Sequence, residues 1–157
     1  MAAARVKRSR RGGFVLKIPP AEREVLRTVP QILRSTLTEG DPEDPVLRRL
    51  FPSAYLDDEA ATAEFDSVVH DDLLAQRMAE IEMMERTLQA ERLTEDELIA
   101  WLGAVNDLRL VLGVRLAVTE ETTPEDFAGR PERERPFALY LYLSYLEEDV
   151  VRALSTA

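Results

Sequence analysis

The sequence predicts an all-α protein, a single-domain bundle of about five or six helices with a short extended N-terminal segment. Three observations carry that expectation. Apolar residues recur at spacings of three and four through most of the chain, proline and glycine are missing from about Leu56 to Arg92, and Thr94 with Glu97 forms a capping-box pattern. At 157 residues, 45% of them hydrophobic, the chain can bury roughly two thirds of its unfolded surface around one core. The expected division is a basic disordered tail over residues 1–13 and a helical domain over 14–157.

Taken in order, Phe14, Val15, Leu16 and Ile18 read as a strand or extended segment, stopped by Pro19 and Pro20, which cannot donate to a ladder. Val25, Leu26, Val29, Ile32, Leu33 and Leu37 then form the stripe of a helix, with a kink or break expected at Pro30 for want of an N–H. TEGDPEDP is a loop. Asp44 and Pro45 make an N-cap and first-turn pair for a short helix through about Phe51, ended near Pro52. Ala61, Phe65, Val68, Val69, Leu74, Met78, Ile81, Met84 and Leu88 keep helical spacing, and the stretch is expected to divide into two helices near His70, Asp71 and Asp72. A new helix starts at the Thr94–Glu97 box and ends between Gly113 and Thr119. Thr123 and Pro124 cap a short turn, RPERERP is a charged loop, and a last helix runs from Pro136 along Leu139, Leu143, Leu146, Val150 and Leu154.

Charge is unevenly spread. Residues 1–18 hold Arg5, Lys7, Arg8, Arg10, Arg11 and Lys17 without an acid, so with a whole-chain charge of −10 the remainder carries −16. An acidic body repels phosphate backbones, which leaves the tail as the part able to touch nucleic acid. A solvated arm folding back on its own body is the other reading of the same residues. The start lacks the apolar stretch of a secretory signal, and no run reaches the ~18 to 20 apolar residues of a membrane span, so the expectation is a cytoplasmic protein without membrane contact.

The residues offer little for catalysis or ligation. Cysteine is absent and His70 is the lone histidine, so no cysteine nucleophile, thiolate metal site or second imidazole is available. No serine sits in a G-x-S-x-G elbow, the acidic clusters DPEDP, LDDEA and TEDE lack the spacing of a calcium loop, and there is no phosphate-binding glycine motif. The sequence therefore predicts a protein that is not an enzyme and holds no cofactor or metal.

Two stretches stand out. In TEDELIAWLGAVNDLRLVLGVRL, Asn106, Asp107, Arg109 and Arg115 interrupt an apolar helix; Asn106, Arg109 and Gly113 share a stripe beside Trp101, Val105, Leu108, Leu112 and Leu116. Arg109 at the core edge needs an oxygen partner, and Asp107 points elsewhere, so the partner must come from another segment. These residues are either a brace between helices or a partner or ligand site. Gly113 implies a close approach or a helix end. Tyr140, Tyr142 and Tyr145 lie in one apolar segment, which fits core packing or a homodimer or partner surface.

FVLKI followed by PPAEREVLRTVPQIL, then LFPSAYLDD, then WLGAVNDLRLVLGVRL, resembles the AosR-like family of actinobacterial oxidative-stress regulators over most of residues 14–155. The most specific part is the N-D-x-R-x-x-L-G-x-R-L pattern of Asn106, Asp107, Arg109, Leu112, Gly113, Arg115 and Leu116, with Phe51, Pro52 and Tyr55 as a second anchor. The resemblance implies a small cytosolic regulator that contacts transcription machinery, an alternative sigma factor in particular, with links to cysteine biosynthesis and redox balance. Named members sense oxidation through a closely spaced cysteine pair; this sequence has none, so that role maps to no position here. Neighbourhood to a Clp protease adaptor, usual in the family, implies an accessory role in proteolysis as an alternative.

Overall fold

The computed structural model describes residues 3–41, 43–51 and 59–156, with side chains from residue 68 onward in the last of these. The expected helix stop at Pro52, the anchor residues Pro52 and Tyr55, and the spacing of Ala61 and Phe65 fall outside the described residues and side chains. The elements are β1 (Val6–Arg8), β2 (Phe14–Leu16), α1 (Pro20–Glu39), α2 (Pro45–Leu50), α3 (Glu59–Thr87), β3 (Arg92–Leu93), α4 (Glu95–Arg115), a 3-10 turn (Pro124–Phe127) and α5 (Pro131–Ser155). The protein is thus mainly helical, with one small antiparallel sheet in the order β1-β2-β3.

That sheet overturns the expected disordered tail. Gly12 and Gly13 both adopt left-handed backbone, and Ser9 N–H donates to the Gly13 carbonyl at 2.9 Å, closing a hairpin between β1 and β2. Val6 pairs with Leu16 and Arg8 with Phe14, while Phe14 also pairs with Leu93. The alternation then buries Val6, Phe14, Leu16 and Leu93 on one face. Burial on that face, together with the Arg5 N–H donated to Asp149 Oδ2 of α5 at 2.8 Å, holds a strand whose own sequence is too polar to announce itself.

Helix α4 is the centre of the bundle and contacts all four other helices. Its start is the predicted box: Glu97 N–H donates to Thr94 Oγ1 at 3.2 Å, and Thr94 N–H donates to Glu97 Oε1 at 2.8 Å. Leu98, Trp101, Ala104, Val105, Leu108, Val111 and Leu112 are buried along it, and Trp101 Nε1 donates to Thr87 Oγ1 of α3 at 2.7 Å. Its end is a Schellman turn, in which Val118 N–H reaches the Gly113 carbonyl and Ala117 N–H the Val114 carbonyl, with Ala117 at φ +53°.

Three expected boundaries are corrected. α1 runs unbroken through Pro30, because Leu26, Val29 and Leu33 on either side are fully buried and their packing outweighs one missing hydrogen bond; Val25, expected in the stripe, is exposed. α3 is one helix through His70–Asp72, where no proline or glycine interrupts the backbone ladder. α5 starts at Pro131, inside the stretch expected to be a loop: Glu134 N–H donates to the Arg130 carbonyl at 2.8 Å. There Pro131 fits the first turn, and Pro136 leaves only the early Glu132 carbonyl without its helical donor.

Candidate functional site

The polar residues of α4 separate onto two sides. Asp107 faces α3 and is buried, 6% exposed. Arg77 Nη1 donates to Asp107 Oδ2 at 3.2 Å and Arg77 Nη2 to the Leu50 carbonyl at 2.9 Å, so one guanidinium ties α3 to α4 and also closes the end of α2. The same guanidinium lies 5.5 Å from the Phe51 ring centroid, and that ring packs against His70 at 4.3 Å. Arg77 Nε is buried with no acceptor among the described residues. Gly103, one turn before Asp107, leaves the space that the Glu80 carboxylate fills; a methyl there would overlap it. Burial, and then the Asp107 charge, push the Glu80 carboxyl up to about 7 against the pull of Arg77. Burial likewise lifts Asp107 to about 6, with Arg77 opposing.

Arg109 faces α5. Its Nε donates to Ser144 Oγ at 2.8 Å and its Nη1 to Glu147 Oε2 at 3.3 Å, while the guanidinium sits 5.5 Å from the Tyr140 ring centroid. The partners come from a distant segment. This side is open: a cleft of about 520 Å³ runs past Arg49, Arg109, Gly113, Val114, Ala117 and Tyr140. At Gly113 an added methyl would meet the Tyr140 ring edge at 3.5 Å, an ordinary contact, so that glycine belongs to the helix end and is not forced by crowding. Asn106 is half-buried. Arg115 is exposed, on the wall of another concavity with Gln31, Ser35 and Glu39 of α1.

The three tyrosines do not share a surface. Tyr140 stacks on Phe137 and borders the cleft. Tyr142 donates its hydroxyl to Glu22 Oε1 at 2.8 Å, and Arg5 grips the same carboxylate through Nε and Nη2 at 2.8 and 2.7 Å. The Arg5 hydrogen bond pulls the Glu22 carboxyl below its usual range, and burial raises the Tyr142 hydroxyl. Tyr145 alone is open to solvent, 66% exposed. Arg5 therefore serves the fold, while Lys7, Arg8, Arg10 and Arg11 are exposed on the hairpin.

Arg77, Glu80, Gly103, Ser144, Glu147 and Glu22 were not foreseen. The signal for the first two was present: Arg77 and Glu80 are charges set within the stripe Leu74, Met78, Ile81, where a solvated face has no place.

A mainly helical protein with polar braces on both sides of its central helix, and no helix among the described residues long and apolar enough to cross a membrane, is the class defined so far. The chain belongs to the family described as domain of unknown function DUF2017, whose model matches residues 1–154. It is 35% identical over 130 residues to the oxidative stress regulator AosR of Mycobacterium bovis and to that of Mycobacterium tuberculosis, covering 72% of this chain and 59% of each relative. The chain thus spans about three fifths of the length of the curated relatives it matches. No solved structure matches it.

Proposed function

We propose that this protein is a non-enzymatic regulator of the oxidative-stress response that works by docking a partner protein on the α4–α5 surface. The observation that carries the reading is Val151, 45% exposed, which borders the same concavity of α5 as Arg109, Ser144 and Glu147, while Tyr145, 66% exposed, stands on the adjoining side of that helix. Exposed tyrosine and arginine are side chains that protein interfaces favour. The names of the AosR relatives support a regulatory role, and the family resemblance makes an alternative sigma factor the first partner to test.

These 157 residues hold no cysteine, so thiol oxidation within them is not part of the proposed regulation. Titration of purified alternative sigma factors against the full chain, read by calorimetry, tests the proposal. Tyr145→Glu with Val151→Glu should weaken binding at least tenfold and leave the circular dichroism unchanged; undiminished binding by this variant rules the surface out. Light scattering on wild type and variant at tens of micromolar also tests whether either side chain contributes to a homodimer.

A further inference from the structure

We propose that the β1-β2-β3 sheet is a docking face for the phosphate backbone of duplex nucleic acid, recognised without regard to sequence. The face is built by register. Lys7 pairs with Val15 and Val15 with Arg92, which puts these three side chains opposite the buried Val6, Phe14, Leu16 and Leu93. Lys7 and Arg92 are exposed, Lys17 continues the outward parity of Val15, and Arg10 and Arg11 are exposed in the hairpin turn. Arg8 lies at the edge.

Among the described residues, no carboxylate forms an ion pair with the charges on this face. Elsewhere Arg5, Arg34, Arg77 and Arg109 each pair with a carboxylate. Here Arg92 Nη2 donates to Ser9 Oγ and the Gly12 carbonyl, at 2.8 and 3.0 Å, and Arg8 Nη2 donates to the Leu154 carbonyl at 3.0 Å. These bonds fix where the guanidinium groups lie without cancelling their charge. Glu24 and Glu91 line a concavity with Val15 and Lys17 at one end of this face, and neither forms an ion pair with its cations among the described residues.

The composition selects the occupant. A protein partner needs an apolar or aromatic anchor at the centre of its contact, and the register offers only Val15 there. A single strand needs exposed rings to stack on, and Phe14 is turned inward, 1% exposed. Phosphate contacts need neither, since positioned cations alone supply sequence-independent binding. The acidic remainder of the chain repels the same polyanion, leaving the sheet as the face that can approach it.

The test is fluorescence anisotropy of a labelled duplex of about 20 base pairs against the full chain between 50 and 200 mM salt. About five phosphate contacts give a log–log salt slope near −4.5, a loss on the order of 500-fold across that range. Lys7→Glu with Arg10→Glu and Arg11→Glu should weaken binding at 50 mM at least tenfold and flatten the slope. The neutral set Lys7→Gln, Arg10→Gln and Arg11→Gln should do so by a smaller factor. A charge-matched control, Arg27→Glu with Arg48→Glu and Arg152→Glu, reverses exposed arginines away from the sheet and should keep the slope, with folding of every variant read by circular dichroism. No binding at 50 mM, equal losses in sheet variant and control, or capture of a polyglutamate peptide in place of the duplex would overturn the proposal. Sigma-factor titrations are unaffected by either result.

Discussion

The two sides of α4 solve the same problem in different media. On the α3 side, Arg77 serves a buried Asp107, with Glu80 pressed nearby; on the α5 side, Arg109 is held by Ser144 and Glu147 at the lip of an open cleft. The side chains of Arg77 and Asp107 are 18% and 8% exposed, those of Arg109 and Glu147 34% and 20%. Exposure decides what each arginine is worth. The enclosed guanidinium offsets the buried Asp107, with Glu80 half-buried nearby, whereas water can replace much of what the half-open one does. The first arrangement therefore reads as a determinant of the fold and the second as a brace between α4 and α5 that water partly reaches.

The largest expected effect separates the sides outright. Arg77→Ala strands the buried Asp107 carboxyl and should cost about 3 to 5 kcal/mol in urea unfolding at pH 8, while Arg109→Ala should cost about 1 kcal/mol or less. Equal losses would erase the distinction.

A second difference is in pH. Because the folded protein raises Glu80 to about 7 and Asp107 to about 6, the neutral acids favour folding. That contribution is complete below the unfolded values near 4 and is lost as pH climbs through 6 and 7. Glu22 and Glu85, lowered by Arg5 and Arg34, act in the opposite sense and lose their contribution as pH falls below about 4.5. Stability should thus peak near pH 4 to 5 and decline by a few kcal/mol, on the order of 2 to 4, by pH 8, and Glu80→Gln should remove about half of the decline. A flat profile from pH 5 to 8 would show that Glu80 is ionised without penalty.

The smallest effect is the sharpest in sign. Gly103→Ala displaces the Glu80 carboxylate and should destabilise by about 1 kcal/mol, whereas Gly113→Ala, whose methyl would only touch the Tyr140 ring, should stabilise by up to about 1 kcal/mol. Thermal melts of the two single variants read both.

How much of this could be read from residues alone depended on range. The Thr94–Glu97 box and the Asp44–Pro45 start are signals spread over a few neighbours, and both appear where the sequence puts them. Pro30 and Pro136 misled because the local cost of a proline is visible in sequence while the burial of Leu26, Leu33, Phe137 and Leu143 that outweighs it is not. The hairpin was missed for a related reason. Gly12-Gly13 is a turn signal, but three polar-flanked residues become a strand only through contacts with α5 and β3. At the site, the need of Arg109 for a distant partner followed from its place on an apolar helix. The identity of Ser144 and Glu147 did not, since nothing in sequence says which residues of α5 face α4.

The grip of Arg5 on Glu22, with its backbone N–H on Asp149 and Arg8 on the Leu154 carbonyl, stitches the beginning of the described chain to its last helix. During synthesis, residues 5–8 emerge long before those anchors exist, so the earliest part of the fold to be made is among the last to settle. Cutting away the basic stretch would consequently open a wall of the bundle, however much its composition suggests a dispensable appendage.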